Sequence, residues 1–413
     1  MRGFYRSLAL AAGVVVGVLL SPAMAQTVVK LAWIDPLSGG AASSGEAGLK
    51  TFQYLVNQLN EKGGPAGFKF EVTGYDNKVN PQESLVQLQK AIDSGARIIL
   101  QGNGSAVAAA LTDAVSKHNE RNPGKEVIYL NYAAIDPVLT NDKCSFWHFR
   151  WDANVEIKLE AMINFIKTKP DVKKVYMLNQ DYSFGQSVKN VARVKFKEKR
   201  PDIEIVGDEL HPLQKVTDFA PYIAKIKASG ADTVLTGNWA QDFALLLKAA
   251  GDAGLQVNWF TFYSESIGGP AAIRQANIPG RVFRVGESVA NLDSADARSF
   301  ETEYRAKTGP GNIYPRAVNL MRMLTAAIDK AKSSDPIAIA KALEGMKFEV
   351  IAGGEGFMRA DDHQFFQPMH ISVFGPEGNK PFDEEGTGWG WTPLAKVPVA
   401  DTMVGTTCKM QRP

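Results

Sequence analysis

Strand-like and helix-like segments alternate along this chain, and the alternation runs through twice. In the first pass Thr27 to Ile34 reads as a buried strand, and a Gly/Ser loop from Pro36 to Gly45 leads into a helical pattern through Asn60. Phe68 to Tyr75 is the next strand. Pro81 opens a helix running to about Ser94, a first-turn position that suits proline's fixed φ and missing donor. Arg97 to Gln101 is a third strand, Gly102-Asn103-Gly104-Ser105 opens another helix, and Glu126 to Tyr132 is a fourth strand. This order predicts a parallel sheet with helices on both faces.

After about residue 150 the order restarts. Strands at Lys174 to Leu178, Ile203 to Val206, Thr233 to Thr236 and Trp259 to Phe262 alternate with helices at Ser187 to Arg200, Phe219 to Ala228 and Gln241 to Ala253. Arg281 to Val285 reads as one more strand. Helical stretches follow at Ala295 to Lys307 and Tyr314 to Lys332, with a short helix from Asp335-Pro336. Those helices need a sheet face to cover, so part of this segment is expected to return to the first lobe. The last 40 residues, rich in Gly and Pro with several Trp and Phe, read as short strands and loops. No sequence-level repeat relates the two passes, so their likeness is one of topology. The fold class is α/β, two Rossmann-like lobes with parallel sheets. The 413 residues, 45% hydrophobic and 22% charged, suffice for such a pair of cores and exclude disorder as the dominant state.

The first 25 residues read as an address. Arg2 and Arg6 precede a 13-residue apolar run, Leu8 to Leu20; Ser21-Pro22 breaks it, and Ala23-Met24-Ala25 supplies a small-x-small cleavage site. The run is short for a bilayer span, with an uncleaved anchor as the alternative, and no later stretch is long and apolar enough to cross one. The expectation is a signal peptide cut after Ala25 and a periplasmic destination. In an oxidising compartment Cys144 and Cys408 are expected to form a disulfide that ties the C-terminal tail to the middle of the chain; two free thiols are the alternative. Lys plus Arg numbers 46 and Asp plus Glu 44; without Arg2 and Arg6 the balance is 44 against 44. Such a chain offers no field for nucleic acid or an anionic membrane surface.

Ligands in parallel sheets bind outside the carboxyl ends of the strands, at the loops that open the helices. Gly102 to Ser105 carries the strongest chemistry among those loops. Gly102 and Gly104 let backbone approach a ligand, and Ser105 stands at a helix start that favours an anion. The plainer role of Ser105 is an N-cap. Trp151, Phe184, Trp239 and Tyr263 are aromatics at loop positions and candidates for a cleft. Glu265 is an acid placed to pair with an ammonium, or else a solvated surface charge. No G-x-S-x-G, Walker-type loop, H-E-x-x-H or complete G-x-G-x-x-G is present, so no enzyme, metal or cofactor is indicated. Asp361-Asp362-His363 reads as a turn.

The motifs Pro36-Leu37-Ser38-Gly39, Tyr75-Asp76-Asn77, Asn131-Tyr132-Ala133-Ala134, Asp136 to Thr140, Phe149-Arg150, Phe184-Gly185 and Asp218-Phe219 recur in order along the chain. In them the sequence resembles the periplasmic substrate-binding proteins of branched-chain amino acid ABC transporters. The resemblance implies two Rossmann-like lobes joined by a three-stranded hinge, closing on ligand like a clam shell. It places residues 26–147 plus 288–370 in lobe 1, and 148–287 plus 371–413 in lobe 2 and the tail. It implies that Ser105 and the Ala133-Ala134 loop hold a ligand carboxylate, with Gly104 beside them and Ser44 near a first-loop aromatic position. Phe184 stands where the family has a tyrosine, and Trp239 lies near a loop-tyrosine position. Tyr263 or Glu265 stands where a glutamate meets the ammonium. The expected ligand is a branched-chain or other apolar amino acid, or an aromatic or aliphatic acid lacking the amine. The expected partners are inner-membrane permease subunits, the protein itself being a monomer; a periplasmic sensor on the same fold is the alternative.

Overall fold

The first five strands make one parallel sheet. The computed structural model describes residues 27–309 and 314–413; the expected signal segment lies outside the described residues. In chain order come β1 (Val28–Asp35), α1 (Ala42–Glu61), β2 (Lys69–Asp76), α2 (Pro81–Asp93), β3 (Ile98–Gln101), α3 (Ser105–Arg121), β4 (Ile128–Asn131) and β5 (His148–Arg150). The strand order is β2-β1-β3-β4-β5. β3 and β4 are buried along their whole length, as strands covered on both faces must be. The period-two alternation of β1 then splits its side chains. Leu31 and Trp33 enter one core, while Ala32 and Ile34 enter the core on the opposite face.

The second sheet takes the rest of the alternation. α4 (Val155–Ile166) leads to β6 (Lys174–Gln180), α5 (Ser183–Lys199), β7 (Glu204–His211), α6 (Ala220–Ala228), β8 (Thr233–Thr236), α7 (Ala240–Asp252), β9 (Asn258–Thr261), α8 (Gly269–Ala276) and β10 (Val282–Gly286). α9 (Ala295–Thr308), α10 (Pro315–Ala331) and α11 (Pro336–Leu343) follow, then a small antiparallel sheet of β11 (Lys347–Glu349), β12 (Glu355–Met358) and β13 (Phe365–Phe366). β14 (Met369–Gly375) and β15 (Gly390–Val397) join the second sheet, whose order is β15-β14-β10-β9-β8-β6-β7. β6 to β10 run parallel, and β14 and β15 pair antiparallel at one edge.

Phe300 and Tyr304 of α9, Leu320 and Met323 of α10, and Leu343 of α11 pack in the same core as Leu31 and Trp33 of β1. These helices therefore cover the first sheet although they follow β6 to β10 of the second in sequence. The chain passes between the two sheets three times: after β5, after β10, and between β13 and β14. Beyond β15 the tail returns to the loop after β4, where Thr406 Oγ1 donates to the Thr140 carbonyl at 2.7 Å. Cys144 and Cys408 are joined there in a disulfide, with their Cα atoms 5.7 Å apart.

Two helices are absent from the sequence reading. α4 is capped by Asn154, whose side chain accepts from Ile157 N–H, but it buries residues on nearly every face and so lacks the polar stripe by which an amphipathic helix is read. α8 spans eight residues and opens on Gly269-Pro270. α5 starts at Ser183, not Ser187, which carries Phe184 from the expected loop into a first helical turn. The Asp361-Asp362-His363 segment is held by pairing: Asp362 with Arg359, and His363 Nε2 with Glu344 at 2.7 Å.

Candidate functional site

The carboxyl ends of the strands of both sheets face a shared cavity with about 390 Å³ of atom-free space, part of it open to solvent. Its wall on the first sheet is the Gly102–Ser105 turn, and a buried carboxylate sets that turn. Asp35, the last residue of β1, accepts from the backbone N–H of Gly102 and of Asn103, each at 2.8 Å. Gln101 Nε2 and the Tyr132 hydroxyl donate to it as well. Burial pushes the Asp35 carboxyl up to about 7 against the pull of these donors. Gly104 then turns the chain at φ +95°, where a side chain would be strained, and a Cβ there would meet Val79 at 2.9 Å.

Gly104, not Ser105, is the N-cap of α3, and no side chain caps the helix. Ser105 Oγ instead accepts from the Asp136 N–H at 3.2 Å, which leaves its own proton unassigned among the described contacts. Ser105 is 3% exposed and lines the cavity with Ala133, Ala134 and Ile135. An uncapped helix amino-terminus, its partial positive charge and a free hydroxyl proton together suit a carboxylate oxygen.

The second sheet supplies the aromatic wall. Tyr182 and Phe184 from the start of α5, Trp239 from the start of α7, and Tyr263 and Ser266 from the loop after β9 line it. Trp239 Nε1 donates to the Tyr182 hydroxyl at 2.9 Å. The Tyr263 hydroxyl lies 3.1 Å from the Ala133 carbonyl and 2.8 Å from Asp152 Oδ2, so it bridges the two walls. Ser44, from the first turn of α1, and Tyr314 and Arg316, from the start of α10, complete the lining.

Behind Tyr263, where the three connections run, lies a sealed charge cluster. Lys158 Nζ is 2.9 Å from Asp152 Oδ1, with both side chains fully buried. Arg316 reaches Glu287 at 2.9 Å and lies 3.8 Å from Asp152. Burial is the largest single effect on the Glu287 carboxyl and pushes it up, but the Arg316 guanidinium, Lys158 and Arg284 together outweigh it and hold the carboxyl down to about 2.

Eight of the ten residues expected in the site therefore line this one cavity: Ser44, Gly104, Ser105, Ala133, Ala134, Phe184, Trp239 and Tyr263. Two expectations are corrected. Trp151 is fully buried in the first core and its indole N–H meets Met323 Sδ, because β5 carries it beneath the sheet edge and away from the cleft. Glu265 lies beside Arg284, 3.2 Å from its Nε, and lines a neighbouring cavity instead. The two-residue offset from Tyr263 turns it to the other side of the loop. Arg316, Tyr182 and Tyr314 were missed. Tyr182 precedes the Phe184 motif and was within reach of the strand-end rule; nothing local marks Arg316 or Tyr314.

That neighbouring cavity also holds Glu384, which accepts from Arg305 Nη2 of α9 at 3.3 Å. Arg305 and Glu301 of α9 and Arg284 of β10 are the charged groups around it, and burial raises its carboxyl to about 7. A raised carboxyl contributes stability that is fully present below its unfolded value near 4.5 and lost as pH rises through 7. Glu384→Gln is thus expected to gain on the parent protein between pH 5 and pH 8, by on the order of 2 kcal/mol. Thermal unfolding across that range checks it; melting profiles that stay parallel would contradict it.

With this geometry in view, comparisons with known proteins are informative. The profile of the family described as "Periplasmic binding protein" matches residues 28–378. The chain is similar to Leu/Ile/Val-binding protein homolog 4 of Brucella abortus (strain 2308), with 35% identity over 93% of each chain. It is similar in structure to the leucine-, isoleucine-, valine-, threonine-, and alanine-binding protein from Brucella ovis in its closed conformation. That match has TM-score 0.82 and 33% identity, and covers 94% of this chain and 100% of that one. A solute binding protein of an ABC transporter from Rhodopseudomonas palustris BisB5, in complex with 3,4-dihydroxy benzoic acid, shares the fold at TM-score 0.75 and 20% identity, over 90% of this chain and 98% of that one.

Proposed function

The chain belongs to the periplasmic binding protein family, and from that premise we propose that it is the exported receptor of an ABC importer. It captures a small carboxylate between two lobes and delivers it to permease subunits in the inner membrane. The lobes are residues 26–147 plus 288–370 and residues 148–287 plus 371–413, and the exported form begins after Ala25 and acts as a monomer. The observation that carries this reading is the single cavity whose wall is half the uncapped start of α3 with Ser105 and half the aromatic wall of the second sheet. Relatives named for leucine, isoleucine and valine support the receptor role, and one fold relative is in complex with a dihydroxybenzoic acid, which supports the amine-free alternative.

In this mechanism the open form is wet. The ligand carboxylate docks first on the α3 amino-terminus and the Ser105 hydroxyl. The second lobe then brings Phe184, Trp239 and Tyr263 over the ligand body, and the Tyr263 hydroxyl meets the Ala133 carbonyl. Contacts made only in the closed form drive closure. The family's permease then reads closure as the signal that cargo is present.

A thermal-shift screen of leucine, valine, phenylalanine and aromatic and aliphatic carboxylates tests the reading, because a ligand of the folded form raises the melting temperature by mass action. Ser105→Ala is expected to weaken the best acid by about tenfold or more, the loss of one charge-assisted hydrogen bond. Unchanged calorimetric affinity would remove Ser105 from the site.

A further inference from the structure

Several groups lining the cavity have a hydrogen-bond donor to spare. The Ser105 proton is unassigned, Ser44 Oγ is buried with no partner, and the Tyr182 hydroxyl accepts from Trp239 and so keeps its own proton to give. Arg316 adds a guanidinium, 3% exposed, whose Nη1 is committed to Glu287 and whose Nη2 has no hydrogen-bond partner among the described residues. Several carbonyls around the cavity already accept one hydrogen bond. Ser44 O accepts from the Tyr314 hydroxyl, Asn103 O from Gln101 Nε2, and Ala133 O from Tyr263. Ala134 O accepts from Asn131 Nδ2, and Ile135 O from the Val155 N–H.

Among the described residues no carboxylate lines the cavity. Asp152 and Glu287 lie behind Tyr263 and Arg316, paired with Lys158 and with Arg316 itself, and Glu265 faces the neighbouring cavity beside Arg284. An ammonium brought here meets hydroxyl and amide groups and the Arg316 guanidinium, with no carboxylate among the described lining residues to compensate its charge. A carboxylate, a keto oxygen or a hydroxyl finds the reverse. Resting on the carboxylate-receptor reading, we propose that the site takes small carboxylic acids without a protonated amine, and that Arg316 determines this specificity by placing a cation where an amino acid would need an anion. The flat apolar body of such an acid lies against Phe184, Trp239 and Tyr263.

Matched pairs test this by calorimetric titration of the protein: 4-methyl-2-oxopentanoate against L-leucine, and 3-phenylpropanoate against L-phenylalanine. The amine-free member of at least one pair is expected to bind tenfold or more tighter, on the order of one lost charged hydrogen bond. Equal or tighter binding of either amino acid overturns the proposal. Binding of no member of either pair overturns the carboxylate-receptor reading, and the proposal with it. Arg316→Gln is expected to narrow the acid-to-amino-acid ratio about tenfold; a folded variant with an unchanged ratio removes Arg316 from the role. The parent protein's ratios decide the ligand class even where that variant does not fold.

Discussion

Asp152→Ala is expected to cost about 3–5 kcal/mol of folding stability, the usual consequence of leaving a buried charge without its partner. Lys158 is fully buried on α4, and Asp152 is the one carboxylate within ion-pair distance of it among the described residues. Its other neighbour is the Tyr263 ring, 4.5 Å from Nζ, which offers a π face but no acceptor oxygen there. Removing Asp152 also frees the Tyr263 hydroxyl, whose remaining partner is the Ala133 carbonyl. In the proposed mechanism stability and closure are therefore coupled through one residue. Urea unfolding reads the first effect, and a loss within about 1 kcal/mol would contradict this account of the buried pair.

Asp35→Ala is expected to cost a similar amount, about 3–5 kcal/mol, and to abolish capture. The substitution strands two buried backbone N–H groups and the Tyr132 hydroxyl proton, each costing about 1–3 kcal/mol when left unpaired, while the Gln101 amide keeps the Asn103 carbonyl as acceptor. Gly102 and Asn103 are the residues so released, and they precede the Gly104 turn that aims the α3 amino-terminus. Affinity is expected to fall by more than about a hundredfold, since the donors must be held in place before the ligand arrives. Amide exchange at Gly102 and Asn103 separates this cause from global loss of structure. Protected amides together with intact affinity would show that the turn holds itself.

The fold was legible where periodicity is local. Thr233–Thr236 and the starts of α9 and α11 can be read from strand runs, capping residues and prolines within a few positions. α4 was not, because a helix buried on nearly all faces has no polar stripe to betray its period. The site was legible through one topological rule: loops after parallel strands meet the ligand, and that rule points to Ser105, Ala133, Phe184 and Tyr263 without any contact being known. Trp151 stands outside that rule: it reads as an aromatic at a loop position, yet it follows a strand and faces down into the core. The strand-end rule is silent on Arg316, which enters the cavity because α10 returns to the first sheet after β10 of the second. Asp35 was passed over for a different reason. A carboxylate that holds backbone N–H groups from another strand leaves no trace in its own neighbourhood of sequence.

Small-angle scattering of the protein, alone and with a mixture of small aliphatic and aromatic carboxylic acids, tests most directly whether two lobes shut on such a ligand. The account expects the radius of gyration to fall when the acids are added and to recover when they are dialysed away. Superimposable curves with and without the acids would contradict it.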